Sequence, residues 1–346
     1  IQSNLAMKYD PIDKIILFGG SLTIVGLAHW LKNESIDVKI YTSKRHSIER
    51  LTDDENLEEL INEIGVPYVI TEDINLEDSL INEITSNTMG IGIGEAWSFD
   101  SKIIDAFKGK LLDFMGIPLP RYRGGAHYTW MILANEKNNG MRLQVINEHM
   151  VQGVFDSGEI VYSIDYQMKE SDVKPSNYFE REVNESIEFL KSFLLEARGG
   201  KEFDLKTVDE SESLYFPRLY TDIHAWIDWR RWDADDIERF IRAFDDPYMG
   251  ARTTLGGKYL RLKDVELISD STNYHPFQSG LIVRKYNNQA MISCKGGIIA
   301  VSKIIDDEGN NHMDSIVIGD RFFTPEDTIE KALNYTAVYD SKGLKD

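Results

Sequence analysis

The chain has 346 residues, with 58 acidic and 38 basic side chains, a formal net charge of −20 and one cysteine. This length suits one large or two ordinary domains, and a single cysteine excludes a disulfide framework or a multi-cysteine zinc site. No apolar run approaches the roughly 18 residues of a membrane-spanning helix. These features, with a start that lacks the layout of a secretory signal, predict a cytoplasmic protein. Because nucleic-acid binding draws on Lys and Arg placed against phosphates, the acidic balance favours action on small molecules.

The first half of the chain alternates short apolar runs with segments that are apolar at helical spacing. Lys14–Gly20 is predicted as a strand ending in two glycines, Ser21–Lys32 as a helix and Asp37–Thr42 as the next strand. This alternation predicts a doubly wound, mostly parallel α/β sheet with right-handed crossovers. The later segments are a helix at Leu57–Ile64, a strand at Pro67–Ile70, a helix at Asp78–Ile84, a strand at Met89–Ile93, a helix at Ser101–Phe107 and a strand at Lys110–Met115.

The second half has a different pattern. Ser176–Arg198 is predicted as a long helix that the glycines at 199 and 200 end. The polar residues 201–217 are interpreted as a linker, and Ala234–Phe244 as one more helix. The short alternating runs beyond it predict a small β-rich domain. These runs are Tyr259–Leu262, Gly280–Arg284, Ala290–Ser293 and Gly297–Ile304.

The predicted domain limits follow from these changes of pattern. Residues 1–6 fit nothing downstream and precede a Met that resembles a natural start, so we interpret them as the remnant of an expression tag. The remaining segments are a first domain at 7–200, the linker at 201–217, a second domain at 218–325 and a C-terminal tail at 326–346.

The loops at the carboxyl ends of the predicted strands are where an open α/β sheet binds its ligands. Gly19 and Gly20 follow the first strand, and because the full G-x-G-x-x-G spacing is missing they favour a tight turn over a dinucleotide site. Lys44, Arg45 and His46 follow the second strand. These three residues are interpreted either as a solvated turn or as a clamp for a phosphate or carboxylate.

Two later loops add further candidates. Trp97 and Phe99 either wall a flat heterocycle or pack in the core. The segment 116–125 holds two prolines and three glycines, and this rigid path favours a functional loop. His127 and His149 are isolated, and neither a catalytic triad nor metal-ligand spacing is found. The residues alone therefore predict a small-molecule site, without a metal, on an α/β domain.

Several stretches resemble the folate-dependent formyltransferases. The chain is similar above all to the branch that formylates amino sugars on nucleotide carriers, which is related to methionyl-tRNA formyltransferase. The likeness runs from about residue 13 to 305. The stretches that carry it are Pro118–Gly124, Phe155–Ile160, Ile227–Trp229 with Ile241–Ala251, and Thr42–His46.

The resemblance implies a Rossmann-like domain followed by an OB-like barrel, with N10-formyltetrahydrofolate (or tetrahydrofolate) as cofactor. It also implies a nucleotide-linked amino sugar as acceptor, and leaves a homodimer open. An initiator tRNA is disfavoured as acceptor, because residues 215–325 hold 14 basic and 16 acidic residues and no basic run. No nucleic acid or membrane partner is expected.

The resemblance also assigns residues to the site. The predicted substrate-binding residues are Gly19, Gly20, Lys44, Arg45, His46, Tyr122, Arg123 and Gly124. The predicted cofactor-binding residues are Gly94, Glu95, Ala96, Trp97, Phe99, Val154 and Phe155.

At the catalytic positions the chain departs from the family, which uses an Asn-x-His pair and an Asp. The Asn position falls on Asp113 and the His position on Met115, so that only Asp156 matches. A thioether carries no proton, and a carboxylate repels a developing oxyanion unless it is protonated. Three hypotheses stay open. One is a rewired transferase in which Asp113, Asp156 or His127 replaces the missing His. The others are a silent homologue that binds folate or a sugar nucleotide, and a transferase with a different donor or acceptor.

Overall fold

A computed structural model of the chain describes residues 5–148, 158–268, 272–340 and 343–345. The chain divides into two compact units. The first comprises Ile1–Tyr122, Asn139–Tyr166 and Arg181–Leu214, and the second comprises Arg123–Asn138, Gln167–Glu180 and Tyr215–Asp346. The chain thus passes between the units more than once, whereas the sequence analysis places a single linker at 201–217. The predicted domain limits stay a prediction.

A seven-stranded sheet forms the centre of the first unit. The strands before residue 217 are β1 (Ala6–Lys8), β2 (Lys14–Gly19), β3 (Asp37–Thr42), β4 (Tyr68–Ile70), β5 (Thr88–Ile93), β6 (Leu111–Met115), β7 (Arg123–Gly124), β8 (Asn138–Val145), β9 (Ile160–Gln167), β10 (Glu202–Asp204) and β11 (Tyr215–Phe216). The sheet has the order β4-β3-β2-β5-β6-β8-β9. Its pairs are parallel from β4 through β6, and β8 is antiparallel to β6. The predicted mostly parallel α/β sheet is confirmed.

The described helices are α1 (Leu22–Asn33), α2 (Lys44–Ser47), α3 (Leu57–Ile64), α4 (Asp78–Glu83), α5 (Ser101–Phe107), α6 (His127–Leu133), α7 (Pro175–Arg198), α8 (Thr221–His224), α9 (Ala234–Ala243) and α10 (Glu326–Asn334). Those that the sequence predicts begin and end close to the predicted limits, whereas α2, α8 and α10 were not predicted. Helix α3 shows how residues at the ends of a helix make its limits predictable from the local sequence. Asn56 and Glu59 form a capping box at its start, and Gly65 ends it in the left-handed conformation. No helix of the described residues is long and apolar enough to cross a bilayer.

The core of the first unit lies between the sheet and the C-terminal half of α7. The side chains that α7 buries there recur at helical spacing, so that one face of the helix is apolar. They are Phe189, Leu190, Phe193, Leu194 and Ala197. The ring of Phe193 lies 5.5 Å from that of Tyr162 and 5.1 Å from that of Phe203. Because Phe203 belongs to β10, which pairs with β1 around Met7, part of the predicted linker is built into this core.

The second unit contains a five-stranded antiparallel sheet. Its strands are β12 (Ala251–Leu255), β13 (Lys258–Ile268), β14 (Ile282–Tyr286), β15 (Gln289–Cys294) and β16 (Gly297–Ile305), and the last two described strands are β17 (Val338–Asp340) and β18 (Gly343–Lys345). The order in the sheet is β12-β13-β16-β15-β14, and every pair is antiparallel. The predicted β-rich domain is therefore present, while its closure into an OB-like barrel stays a prediction.

We predict that Phe193→Ala lowers the free energy of unfolding of the first unit by about 3–5 kcal/mol, because it leaves a cavity among buried aromatic rings. Urea denaturation followed by tryptophan fluorescence and far-UV circular dichroism measures it. The matched control is Leu195→Ala on the same helix, where the side chain is 57% exposed, and we expect a change within about 0.5 kcal/mol. Equal losses from the two variants would contradict the placement of this face of α7.

Candidate functional site

The loop that follows β3 forms a cationic turn, which we define as Lys44, Arg45 and His46. Ser43 caps this turn, because its Oγ accepts a hydrogen bond from the His46 backbone N–H at 3.2 Å and lies 3.0 Å from His46 Nδ1. The side chains of Lys44 and Arg45 are exposed, whereas His46 is buried. The turn therefore presents two cations to solvent above a buried imidazole.

The buried imidazole of His46 is held in its neutral form. Burial lowers its pKa below the ordinary value, and the charge of Arg45 lowers it further, against a smaller opposite effect of Glu49. The Arg45 Nη2 lies 3.4 Å from His46 Nε2. Because a guanidinium only donates, His46 Nε2 accepts in this contact. His46 thus supports the turn without adding a third charge.

The loops after β2, β3 and β5 meet at Gly20. Its backbone N–H donates to the Ile93 carbonyl oxygen at 3.3 Å, and a Cβ built on Gly20 would lie only 2.7 Å from the Cβ of His46. A residue with a side chain would push the cationic turn away. The predicted tight turn at Gly19 and Gly20 thus also packs against the cationic turn.

The loop after β5 places a carboxylate beside the next strand. Glu95 folds back over β5, so that a Cβ built on Gly92 would lie 2.5 Å from Glu95 Oε2. Gly92 is level with Phe18 of β2 on one side and with Asp113 of β6 on the other. A continuous line of contacts therefore runs along the carboxyl ends of the strands, from the cationic turn to Asp113.

The strand β6 carries Asp113 and Met115 on one face, because side chains alternate along a strand. Leu112 and Phe114, on the other face, are buried in the core, whereas Asp113 and Met115 are partly exposed. Asp113 lies opposite Gln144 of β8 in the antiparallel register. The Gln144 Nε2 donates a hydrogen bond to Asp113 Oδ2 at 3.0 Å. We call Gly20, the cationic turn, Glu95, Asp113 and Met115 the strand-end site.

Sequence reasoning missed Gln144, together with the strand that carries it. The signal was the alternation of Met141, Leu143 and Val145 around it, which predicts a strand over these residues. Gln144 is fully buried, and its Oε1 has no hydrogen-bond partner among the described residues. A buried amide next to a carboxylate is a long-range pairing that no local spacing indicates.

The sequence analysis leaves Trp97 and Phe99 open between a heterocycle site and core packing. In the structure, both make contacts within the first unit. Phe99 is buried, with its ring edge-on to Phe18 at 5.0 Å, and the Trp97 Nε1 donates to the Glu72 carbonyl oxygen at 3.0 Å. Gly94 and Ala96 are exposed, and a Cβ on Gly94 would meet no described heavy atom within 4 Å. The main chain of this loop is therefore open to solvent, and its contact with a cofactor stays a prediction.

The other predicted residues belong to other elements of the structure or lie outside the described residues. Tyr122 is buried in the first unit. Arg123 and Gly124 form β7, which pairs with β11 in the second unit, and His127 begins α6 there, with its ring 4.9 Å from that of Tyr128. The residues outside the described part of the chain are His149, Val154, Phe155 and Asp156. No group of three or more His, Cys, Asp or Glu in the described ranges is arranged to hold a metal ion.

Comparison with known proteins gives three findings. The family model "Formyl transferase, C-terminal domain" matches residues 221–317. The methionyl-tRNA formyltransferase of Pseudoalteromonas translucida is 24% identical over 250 residues, which are 72% of this chain and 74% of that protein. The solved N-formyltransferase of Helicobacter canadensis, in complex with folinic acid and dTDP-3-aminofucose, shares the fold with a TM-score of 0.60 at 18% identity, over 84% of this chain and 98% of that chain.

These similarities support a formyltransferase family related to methionyl-tRNA formyltransferase. The methionyl-tRNA formyltransferase of Coprothermobacter proteolyticus is 31% identical over 149 residues, 43% of this chain, and the chain spans only 45% of that relative's length. The predicted resemblance is thereby confirmed. Among the described site residues, the strand-end site carries a carboxylate at Asp113 and a thioether at Met115.

We predict that His46 makes the stability of the first unit depend on pH. Because its pKa is lowered in the folded state, the unfolded state binds more protons in the acid range. The contribution of His46 is complete above the unfolded value of about 6.5 and is lost as the pH falls through the folded pKa. In His46→Gln, the free energy of unfolding should fall less between about pH 7.5 and pH 5 than in the natural protein.

Urea denaturation at the two pH values measures this difference. The control is His29→Gln, which changes an exposed histidine on α1 and should leave the pH dependence as it is. An unchanged pH dependence in His46→Gln would contradict a buried, neutral His46.

Proposed function

We propose that this chain transfers a formyl group from N10-formyltetrahydrofolate to the amine of a nucleotide-linked amino sugar, which the strand-end site binds. The observation that carries the proposal is the continuous line of contacts from the cationic turn through Gly20 and Glu95 to Asp113. In an α/β sheet, this carboxyl end is where ligands bind. The similarity to formyltransferases adds the reaction class, and the Helicobacter canadensis relative, solved with folinic acid and an amino-sugar nucleotide, supports both ligands.

The charge distribution supports an acceptor with phosphates. In a chain of net charge −20, the exposed Lys44 and Arg45 offer an anion two cations at one turn. Three strand spacings, about 14 Å, separate this turn from Asp113. An acceptor that reaches both must carry its phosphates and its amine well apart, as a nucleotide-linked amino sugar does.

The residues of the strand-end site divide the work as follows. Lys44 and Arg45 bind the phosphates and orient the acceptor, with His46 and Gly20 holding the turn in place. The folate supplies a formyl group attached to nitrogen, and the open main chain at Gly94 and Ala96 is where we expect its heterocycle. Asp113 accepts a proton from the acceptor amine, since Met115 has no group that can do so.

A second candidate function rests on the same two substitutions. Removal of a catalytic acid–base group or an oxyanion donor typically lowers the rate by about 10² to 10⁴. The presence of Met115 and Asp113 therefore favours, as the alternative, a silent homologue that binds folate or a sugar nucleotide without transfer. The third hypothesis is a transferase with a different one-carbon donor or acceptor, and a transfer assay with a panel of donors and amines tests it. A homodimer stays a prediction.

We predict that Lys44→Ala with Arg45→Ala weakens binding of dTDP-3-aminofucose at least about tenfold, because charge-assisted hydrogen bonds to phosphate are lost. Folinic acid should bind as before. Titration calorimetry on the full chain measures both. The control is Lys169→Ala with Arg284→Ala, which removes two exposed cations of the second unit. Equal losses in the two double variants would contradict a phosphate site at the cationic turn.

We predict that the natural chain transfers formyl to an amino-sugar nucleotide, which mass spectrometry detects as a gain of one formyl group. Binding of both ligands without any transfer would contradict the proposal. In that case, if Asp113→Asn with Met115→His begins to transfer formyl, the silent-homologue reading is the correct one. If the natural chain is active, Asp113→Ala should lower kcat by about 10² or more, while KM for the acceptor stays nearly unchanged.

A further inference from the structure

The pairing of Asp113 with Gln144 joins β6 and β8 at the Asp113 end of the strand-end site. Both residues lie on the first unit's sheet, level with each other in the β6–β8 register. A carboxylate only accepts hydrogen bonds, so the amide nitrogen of Gln144 must face it, and the 3.0 Å contact from Nε2 to Oδ2 has this sense. The Gln144 side chain is fully buried, and this burial leaves it little freedom to turn away.

The carbonyl oxygen of the Gln144 amide strengthens the case for a functional role. Gln144 Oε1 is buried and has no hydrogen-bond partner among the described residues. Buried polar atoms are nearly always paired, so that an exception in a native structure calls for a reason. Here the reason is that the amide is turned to give its N–H to Asp113, and the carbonyl oxygen must then lie on the far side.

The charged groups around Asp113 show what this donated hydrogen bond does. The Glu95 carboxylate, from the loop after β5, lies over Gly92 of that strand, and Gly92 is the register neighbour of Asp113. From α7 the Glu182 carboxylate lies against Gly116, just beyond the end of β6. Arg142 of β8 is level with Met115, but it is engaged by Asp165 at 2.9 Å and by the Ile164 carbonyl. Of these groups, the Gln144 N–H is the one that donates a hydrogen bond to Asp113, and a donated hydrogen bond favours the charged form of a carboxylate.

We propose that Gln144 is a positioning residue that keeps Asp113 oriented and ionised, so that Asp113 acts as the general base for the acceptor amine. This inference rests on the proposed function. In the step, the acceptor nitrogen forms a bond to the formyl carbon, and the bond from that carbon to the donor nitrogen breaks. Asp113 takes one proton from the acceptor amine and returns it to the leaving donor nitrogen. The base that the family has at the Met115 position is thereby replaced within the same strand.

The decisive variant is Gln144→Glu, which has nearly the same shape and replaces the donated N–H by an acceptor. We expect the acid limb of the pH profile of kcat/KM to move to higher pH by about one to three units, as for two carboxylates that share a site. Gln144→Met removes the hydrogen bond without adding a charge, and it should lower kcat about tenfold while KM for the acceptor stays unchanged. If Gln144 had only a structural role, these variants would change neither the acid limb of the kcat/KM profile nor kcat relative to the KM for the acceptor.

A second readout needs no turnover. In protein labelled with ¹³C at the Asp carboxyl carbons, the signal that Asp113→Asn removes is the one assigned to Asp113. Without ligand, we expect this signal to titrate at higher pH in Gln144→Glu than in the natural chain. The matched control is Gln289→Glu, because Gln289 also pairs across strands, with its Nε2 3.0 Å from Ser302 Oγ, but in the sheet of the second unit. Thermal unfolding of each variant verifies that it is folded.

The outcomes separate the two claims. A shifted Asp113 titration together with a shifted acid limb supports the role of Gln144. An unmoved titration, or turnover with an unmoved acid limb, overturns that role and leaves the proposed function standing. Absence of formyl transfer by the natural chain overturns the proposed function and with it the base role of Asp113. If Gln144→Glu does not fold, Gln144→Met decides by the same titration, in which the Asp113 signal should move to higher pH by a smaller step.

Discussion

The parallel register of β2, β5 and β6 is the constraint on which the rest of the site depends. It sets Phe18, Gly92 and Asp113 level with one another, so that the loops that follow these strands meet at one end of the sheet. A slip of one residue in β6 would turn Asp113 into the core and bring the buried Leu112 or Phe114 to the site. The apolar residues of the strands therefore hold the carboxylate in place through the register.

The distribution of charge follows from the same constraint. The chain is strongly acidic, yet the turn after β3 carries two exposed cations, and the buried His46 beneath them is kept neutral by burial and by Arg45. At the other end of the line of contacts, the Asp113 carboxylate accepts a hydrogen bond from Gln144. A ligand with phosphates at one end and an amine at the other matches this polarity.

The sequence alone predicted those parts of the structure that local patterns determine. Helices such as Leu57–Ile64 have their caps and apolar faces within the segment, and the parallel strands are short apolar runs between them. Strand β8 was missed although Met141, Leu143 and Val145 alternate with Arg142 and Gln144 as residues of a strand do. The partners of Arg142 and Gln144 lie on other strands, which no local pattern indicates. The local sequence could not decide whether Phe99 lines a ligand site or packs in the core. Its ring contact with Phe18 shows that it packs in the core.

In the proposed function, one line of contacts binds an acceptor from its phosphates to its amine. An experimental structure of this chain with folinic acid and dTDP-3-aminofucose, the ligands of the Helicobacter canadensis relative, decides whether it does. We expect the phosphates against Lys44 and Arg45, and the amine nitrogen at hydrogen-bond distance, about 3 Å, from the Asp113 carboxylate. Phosphates bound away from the cationic turn, or an amine remote from Asp113, would contradict it.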